Sequence, residues 1–138
     1  MRRTAREAVF KALYAFVINK ASGQDLILDP LCDCIVEESD YKFAARLFEC
    51  VAGNFNTLKA EILPLTEFSE ERIFKIDLCV LVLAAAEIKY FEDISPITSI
   101  DEAAYLSKKY STENSVNFIN GVLAEFLKKN ERKKSEDN

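Results

Sequence analysis

Apolar side chains recur at helical spacing along nearly the whole chain, and the spacing predicts six helices. From Ala5 to Val17 they fall at Ala5, Ala8, Val9, Ala12, Leu13, Phe16 and Val17, the stripe of a half-buried helix. Gly23 and its polar neighbours end it. A shorter helix with weaker periodicity is expected over about 25–37. A third, from about Asp40 to Leu63, carries Phe43, Ala44, Leu47, Phe48, Val51, Phe55, Leu58 and Ile62 at helical spacing. Pro64 stops it, because proline has no N–H and its ring clashes with the preceding turn.

Ser69 is placed to cap a fourth helix reaching about Tyr90, with Glu70 and Glu71 in a first turn that favours negative charge. From Ile76 to Ile88 this helix is apolar on nearly every side, interrupted only by Asp77 and Glu87. Such a helix is a central one, packed on several faces. Ser99 and Glu102 read as a capping box for a fifth helix, to about Tyr110. A polar turn, Ser111 to Ser115, leads into a sixth helix ending near Lys129.

The expected fold class is therefore all-α. One domain covers residues 1–129, with helical halves at about 1–63 and 66–129 and a seam at Pro64. Residues 130–138 are polar and charged and are expected to form a disordered tail. Only three glycines and three prolines are present, too few for a fold built on many tight turns. With 49% hydrophobic residues in 138, the chain can bury a real core.

Composition narrows the chemistry. The chain has no histidine, which excludes Ser–His and Cys–His nucleophilic pairs and removes the usual nitrogen ligand of zinc and haem sites. Cys32, Cys34, Cys50 and Cys79 lack the Cys-x-x-Cys spacing and are expected to be buried free thiols. No cofactor and no metal is expected. The longest strictly apolar run, Leu78 to Ala86, is far below the ~20 residues of a membrane span. Glu7 and Lys11 interrupt the first apolar stretch, so it lacks a signal-peptide core. The expectation is a soluble cytoplasmic protein. Its carboxylates lie mostly on helix faces and form no recognisable acid–base pair, so it is not expected to be an enzyme.

Charge is unevenly spread. The net charge is −5, yet residues 1–20 hold Arg2, Arg3, Arg6, Lys11 and Lys20 against Glu7 alone. The last eleven residues are also net basic, and the middle is strongly acidic. A basic patch on an acidic body suits a local polyanion site. On the first predicted helix Arg3, Arg6, Phe10 and Tyr14 share one side. Guanidinium groups neutralise phosphates and rings stack on bases, which suits single-stranded nucleic acid. The alternative is that Phe10 and Tyr14 pack on a neighbouring helix while the arginines are solvated. Near the end, Asn114, Asn117 and Asn120 recur every three residues beside Phe118. Amides read base edges and an exposed ring stacks on a base. Here the alternative is a capping Asn114 with Phe118 in the core. Gly121 sits mid-helix, where close approach of another backbone would explain its cost.

Two motifs carry a family resemblance. The opening Arg2-Arg3-Thr4-Ala5-Arg6-Glu7-Ala8, with Ala12-Leu13-Tyr14, resembles the start of the NusB family of bacterial transcription antitermination factors. Ile100-Asp101-Glu102-Ala103, followed by Phe118-Ile119-Asn120-Gly121-Val122-Leu123, resembles that family's closing signature. Order and spacing agree across nearly the whole chain, although residues 21–75 match only as helical pattern. The resemblance implies two small helical bundles and a non-catalytic adaptor. It also implies binding to the boxA element of ribosomal RNA together with ribosomal protein NusE, in the service of the transcription elongation complex.

The RNA surface it implies maps onto Arg2, Arg3 and Arg6 and onto Asn114, Asn117 and Phe118, and the reading of the first helix adds Phe10. RNA is expected to lie across both segments. The implied partner surface maps onto Asp77, with Glu87 further along the same helix. Val82 stands where many members carry Arg, and Ala86 where the family has Tyr. Two other readings compete. NusB-like domains also begin certain ribosomal RNA cytosine methyltransferases, but this chain has no Gly-rich cofactor loop or strand pattern. A structural homodimer would instead cover the Arg–aromatic face.

Overall fold

The structure, a computed structural model, describes the backbone at residues 2–19 and 37–137 and side chains at 2–18 and 37–131. Cys32, Cys34 and nearly all of the helix expected over 25–37 lie outside the described residues. Five α-helices and no strands are present among the described residues. The chain divides into two compact units, Met1–Asn54 and Phe55–Asn138.

The first unit holds α1 (Arg2–Asn19) and most of α2 (Glu38–Ile62). Ala5, Ala8, Val9, Ala12 and Leu13 of α1 are buried, as the apolar stripe requires. Phe43, Ala44, Leu47 and Val51 of α2 are buried too. Glu38 and Asp40 occupy the first turn of α2, where they complement the helix dipole. The division between units falls within α2, and Pro64 lies inside the second unit.

The second unit is built around α3 (Lys75–Tyr90), in which every residue from Asp77 to Ile88 is buried. It packs against α4 (Pro96–Tyr110) and α5 (Glu113–Asp137), which also pack on each other. The central helix read from the sequence is thus in place. Each large aliphatic side chain buried along α3 contributes about 1.5–3 kcal/mol relative to leaving it in water. Pro64 sits in a 3₁₀ turn, Leu63–Leu65, directly after α2.

The helix starts differ from expectation. Ser69 heads only a 3₁₀ turn, Glu70–Arg72, and its side chain makes no capping bond. The backbone then extends at Ile73 (φ −91°, ψ 130°), which seats that side chain in the core, and α3 begins at Lys75. The expected capping box at Ser99 and Glu102 is absent as well. Helix α4 starts earlier, with Pro96 in its first turn, where a missing N–H costs nothing. Ser99 lies inside the helix and its hydroxyl donates to Glu87 Oε1 at 3.0 Å. Helix α5 starts at Glu113 and is capped by Thr112, whose Oγ1 accepts the Ser115 N–H at 3.2 Å. It does not stop at Asn130: the Asn130 amide donates back to the Phe126 carbonyl at 2.8 Å, and the helix continues to Asp137. Residues 130–137 of the segment expected to be a disordered tail are thus helical, as its run of Glu, Arg and Lys allows.

Two buried carboxylates tie the elements together. Asp77, in the first turn of α3, accepts from Ser111 Oγ at 2.7 Å and from Ser115 Oγ at 2.9 Å. Each serine directs its single proton to the carboxylate, so Thr112 donates to Ser115 Oγ at 2.9 Å. Near the other end of α3, Glu87 is held by Ser99. Lys89 pairs with Glu61 at the end of α2. Partial burial opposes the Lys89 charge, but the Glu61 bond and charge outweigh it and hold its pKa above the ordinary value. Cys50 and Cys79 are free thiols, and burial pushes Cys79 up to about 12, which makes it unreactive near neutral pH.

Asp77→Ala leaves the half-buried Ser111 hydroxyl and the buried Ser115 hydroxyl without their acceptor. It is expected to destabilise the fold by about 3 kcal/mol in urea denaturation. A loss under about 0.5 kcal/mol would show that the α4–α5 joint does not depend on this carboxylate.

Candidate nucleic-acid interface

In the first unit the arginines predicted on α1 divide into two kinds. Arg2 and Arg3 are exposed. Arg6 is only 4% exposed. The guanidinium carbons of Arg2 and Arg6 lie 4.6 Å and 5.2 Å from the ring centroid of Phe43 on α2. Phe43 is itself buried, so its ring anchors both side chains by cation–π attraction. Phe10 is 3% exposed and stacks on Tyr14, with ring centroids 6.2 Å apart and planes 15° apart. Phe10, expected to offer a ring to a base, has its ring packed internally. The same burial removes Arg6 as an open phosphate contact and gives it an anchoring place. Arg2, Arg3 and half-exposed Tyr14 remain accessible on α1.

In the second unit the first turns of α5 bring the other predicted residues together. Asn114 and Asn117 are exposed, and Phe118 is half-buried on the same face. Thr112, not Asn114, supplies the cap, which leaves the Asn114 amide outside the capping bonds. Phe118 meets Phe68 edge to face, with centroids 5.8 Å apart and planes at 65°. Gly121 lies further along this face and is exposed. Among the described residues a Cβ built there would have nothing within 4 Å, and none makes the close backbone approach expected at Gly121. Asn120 is half-buried, and its Oδ1 has no hydrogen-bond partner among the described residues.

Beside Phe118 opens a cleft of about 450 Å³. Phe68, Arg72, Phe74, Asp77, Asn114 and Phe118 line it, among others. Phe68 is 48% exposed and Phe74 60%. Sequence reasoning missed Phe68, Arg72 and Phe74 because that segment read as the start of a helix. The available signal was two aromatic residues flanking an arginine in a stretch with no apolar periodicity. Lys109, in the last turn of α4, was missed too; its Nζ lies 5.8 Å and 5.5 Å from the ring centroids of Tyr105 and Tyr110.

The predicted partner residues are not displayed. Asp77 is 4% exposed and Glu87 1% exposed, and serine hydroxyls hold both. A buried carboxylate needs such donors in place of water, so both residues are internal ties rather than presented groups. Among the described residues, no three His, Cys, Asp or Glu side chains gather as metal ligands. No described helix is long and apolar enough to cross a membrane.

Known proteins share this fold. A family model described as the NusB family matches residues 3–128. The transcription antitermination protein NusB of Methylacidiphilum infernorum is 34% identical over 134 residues, which cover 96% of this chain and 94% of that one. The solved structure of T. maritima NusB superposes with a TM-score of 0.85 at 34% identity, covering 93% of this chain and 91% of its own. A chain from a crystal structure of antitermination factors NusB and NusE in complex with dsRNA has a TM-score of 0.83 at 23% identity, over 92% of this chain and 96% of that one. That last likeness speaks for the fold. The match from the arginine-led α1 to the helix that carries Phe118 and Asn120 spans both units, and the chain belongs to the NusB family.

Proposed function

We propose that this chain is a non-catalytic RNA-binding adaptor in transcription antitermination. It takes the boxA element of ribosomal RNA together with ribosomal protein NusE and serves the transcription elongation complex. The observation that carries the RNA reading is the open face of α5, with exposed Asn114 and Asn117 beside a half-buried Phe118 at the mouth of an aromatic cleft. Amides of that kind read base edges, and the ring supplies stacking worth roughly 1–3 kcal/mol per base. Arg2 and Arg3 on α1 add phosphate contacts, which weigh more on a chain of net charge −5. Arg6 and Phe10 support that surface from beneath. Asp77 and Glu87 contribute to partner binding through the helix positions they hold. The solved complex of NusB and NusE with RNA on the same fold supports both partners.

RNA and NusE are expected to bind as a linked pair, each raising affinity for the other by the same factor. Fluorescence anisotropy with a labelled boxA RNA and a scrambled RNA, with and without NusE over a salt series, checks this. The expected result is a boxA preference that NusE strengthens. Equal, weak binding of both RNAs, indifferent to NusE, overturns the reading and leaves the fold untouched.

Two variants separate the contacts. Arg2→Ala with Arg3→Ala is expected to weaken both RNAs alike and to flatten the logarithmic salt dependence by about 1.4, the value for two lost phosphates on a single strand. Phe118→Ala is expected to cost about 1–3 kcal/mol of RNA affinity with the salt dependence unchanged. The opposite pattern, with salt dependence moving only for Phe118→Ala, would refute the assignment of roles.

A further inference from the structure

We infer that the cleft of the second unit is a nucleotide subsite, in which Arg72 takes a phosphate and the rings of Phe68 and Phe118 take the adjoining base. This inference rests on the RNA reading above and adds Arg72 and Phe68, which that reading does not use.

Three observations carry it. The first is an aromatic surface left in water. Phe68 and Phe74 are 48% and 60% exposed, six residues apart, at a cleft with room for one base and its sugar. The edge-to-face pairing of Phe68 with Phe118 leaves ring surface for a third flat partner, and a nucleobase supplies one.

The second is the state of Arg72. It is exposed, it is the one cation lining the cleft, and no ion pair or side-chain hydrogen bond engages it among the described residues. Glu70, two residues before it, is taken by Lys59 at 3.3 Å. Asp77, the acid lining the cleft, is occupied by Ser111 and Ser115. A guanidinium left over in this way presents a planar fork of donors that matches phosphate.

The third is continuity. Asn114 lines the same cleft and stands on the α5 face proposed to read base edges. A strand leaving that face therefore has a cation and a stacking surface within the reach of one nucleotide. An apolar side chain from a protein partner would use the rings alone and would leave Arg72 unmatched.

The test uses the full chain and the labelled boxA RNA in a salt series without NusE, with NusE binding to each variant measured separately. Arg72→Ala is expected to lower affinity about tenfold at low salt and to reduce the salt slope by about 0.7, one phosphate on a single strand. Arg72→Lys is expected to keep the slope and recover part of the affinity. Phe68→Ala is expected to weaken binding with the slope unchanged, and to abolish the quenching of a 2-aminopurine placed in the RNA. Arg72 is exposed, so a thermal melt matching the parent confirms that its variants are folded. If the parent binds boxA RNA and Arg72→Ala changes neither affinity nor slope, the subsite is overturned and the RNA reading stands. If the parent binds no RNA, both fall. If Arg72→Ala weakens NusE binding and leaves RNA binding alone, the cleft belongs to the protein partner and the subsite is likewise overturned.

Discussion

One carboxylate organises the second unit. Asp77 lies in the first turn of the most apolar of the described helices, where an unsatisfied polar group would be costly. Ser111 and Ser115 supply its donors, and they stand on either side of the joint between α4 and α5. Satisfying that one group therefore decides where α4 ends, where α5 begins, and how α5 approaches α3. The Asn114 and Phe118 face lies immediately beyond the joint, so its position is inherited from a buried hydrogen-bond network rather than from surface contacts.

The first unit solves a related problem with a ring in place of a carboxylate. Arg2 and Arg6 converge on Phe43, and Phe10 stacks on Tyr14. Long cationic side chains are thereby ordered before any ligand arrives. Ordering them in advance lowers the entropic cost of binding, the general advantage of a prepared surface.

Most of the helical pattern was legible in the residue order, because burial in a helical unit follows the 3.6-residue period. The α1 stripe and the all-round apolar α3 show this, since Ala5, Val9 and Leu13 and the run from Leu78 to Ile88 are buried where the period places them. Caps were less legible. Ser69 and Ser99 have the right residue type before a helical stretch, yet neither makes a capping bond, because a cap depends on where the backbone turns and not only on local spacing. The site was half legible. Exposed Asn114 and Asn117 follow from polarity on one face. The burial of Phe10 and Arg6 was not legible, because an aromatic or basic residue beside an apolar stripe can fall on either side of its edge, and tertiary packing decides. Asp77 and Glu87 are buried for a related reason: charge suggested display, while three serine hydroxyls supplied from later in the chain made burial tolerable. The Phe68–Arg72–Phe74 cluster carries no period at all and emerges only in three dimensions.

Phe43 has a consequence for divergence. It serves two guanidinium groups from a different helix, so the arginines at the start of α1 and the aromatic residue at position 43 form a single inherited unit. A lineage that replaced Phe43 with an aliphatic residue would keep its net charge and a buried apolar side chain, yet would lose the ring that both guanidinium groups share. Drift at an interior position could thus erode an exterior activity while every exterior residue stayed the same.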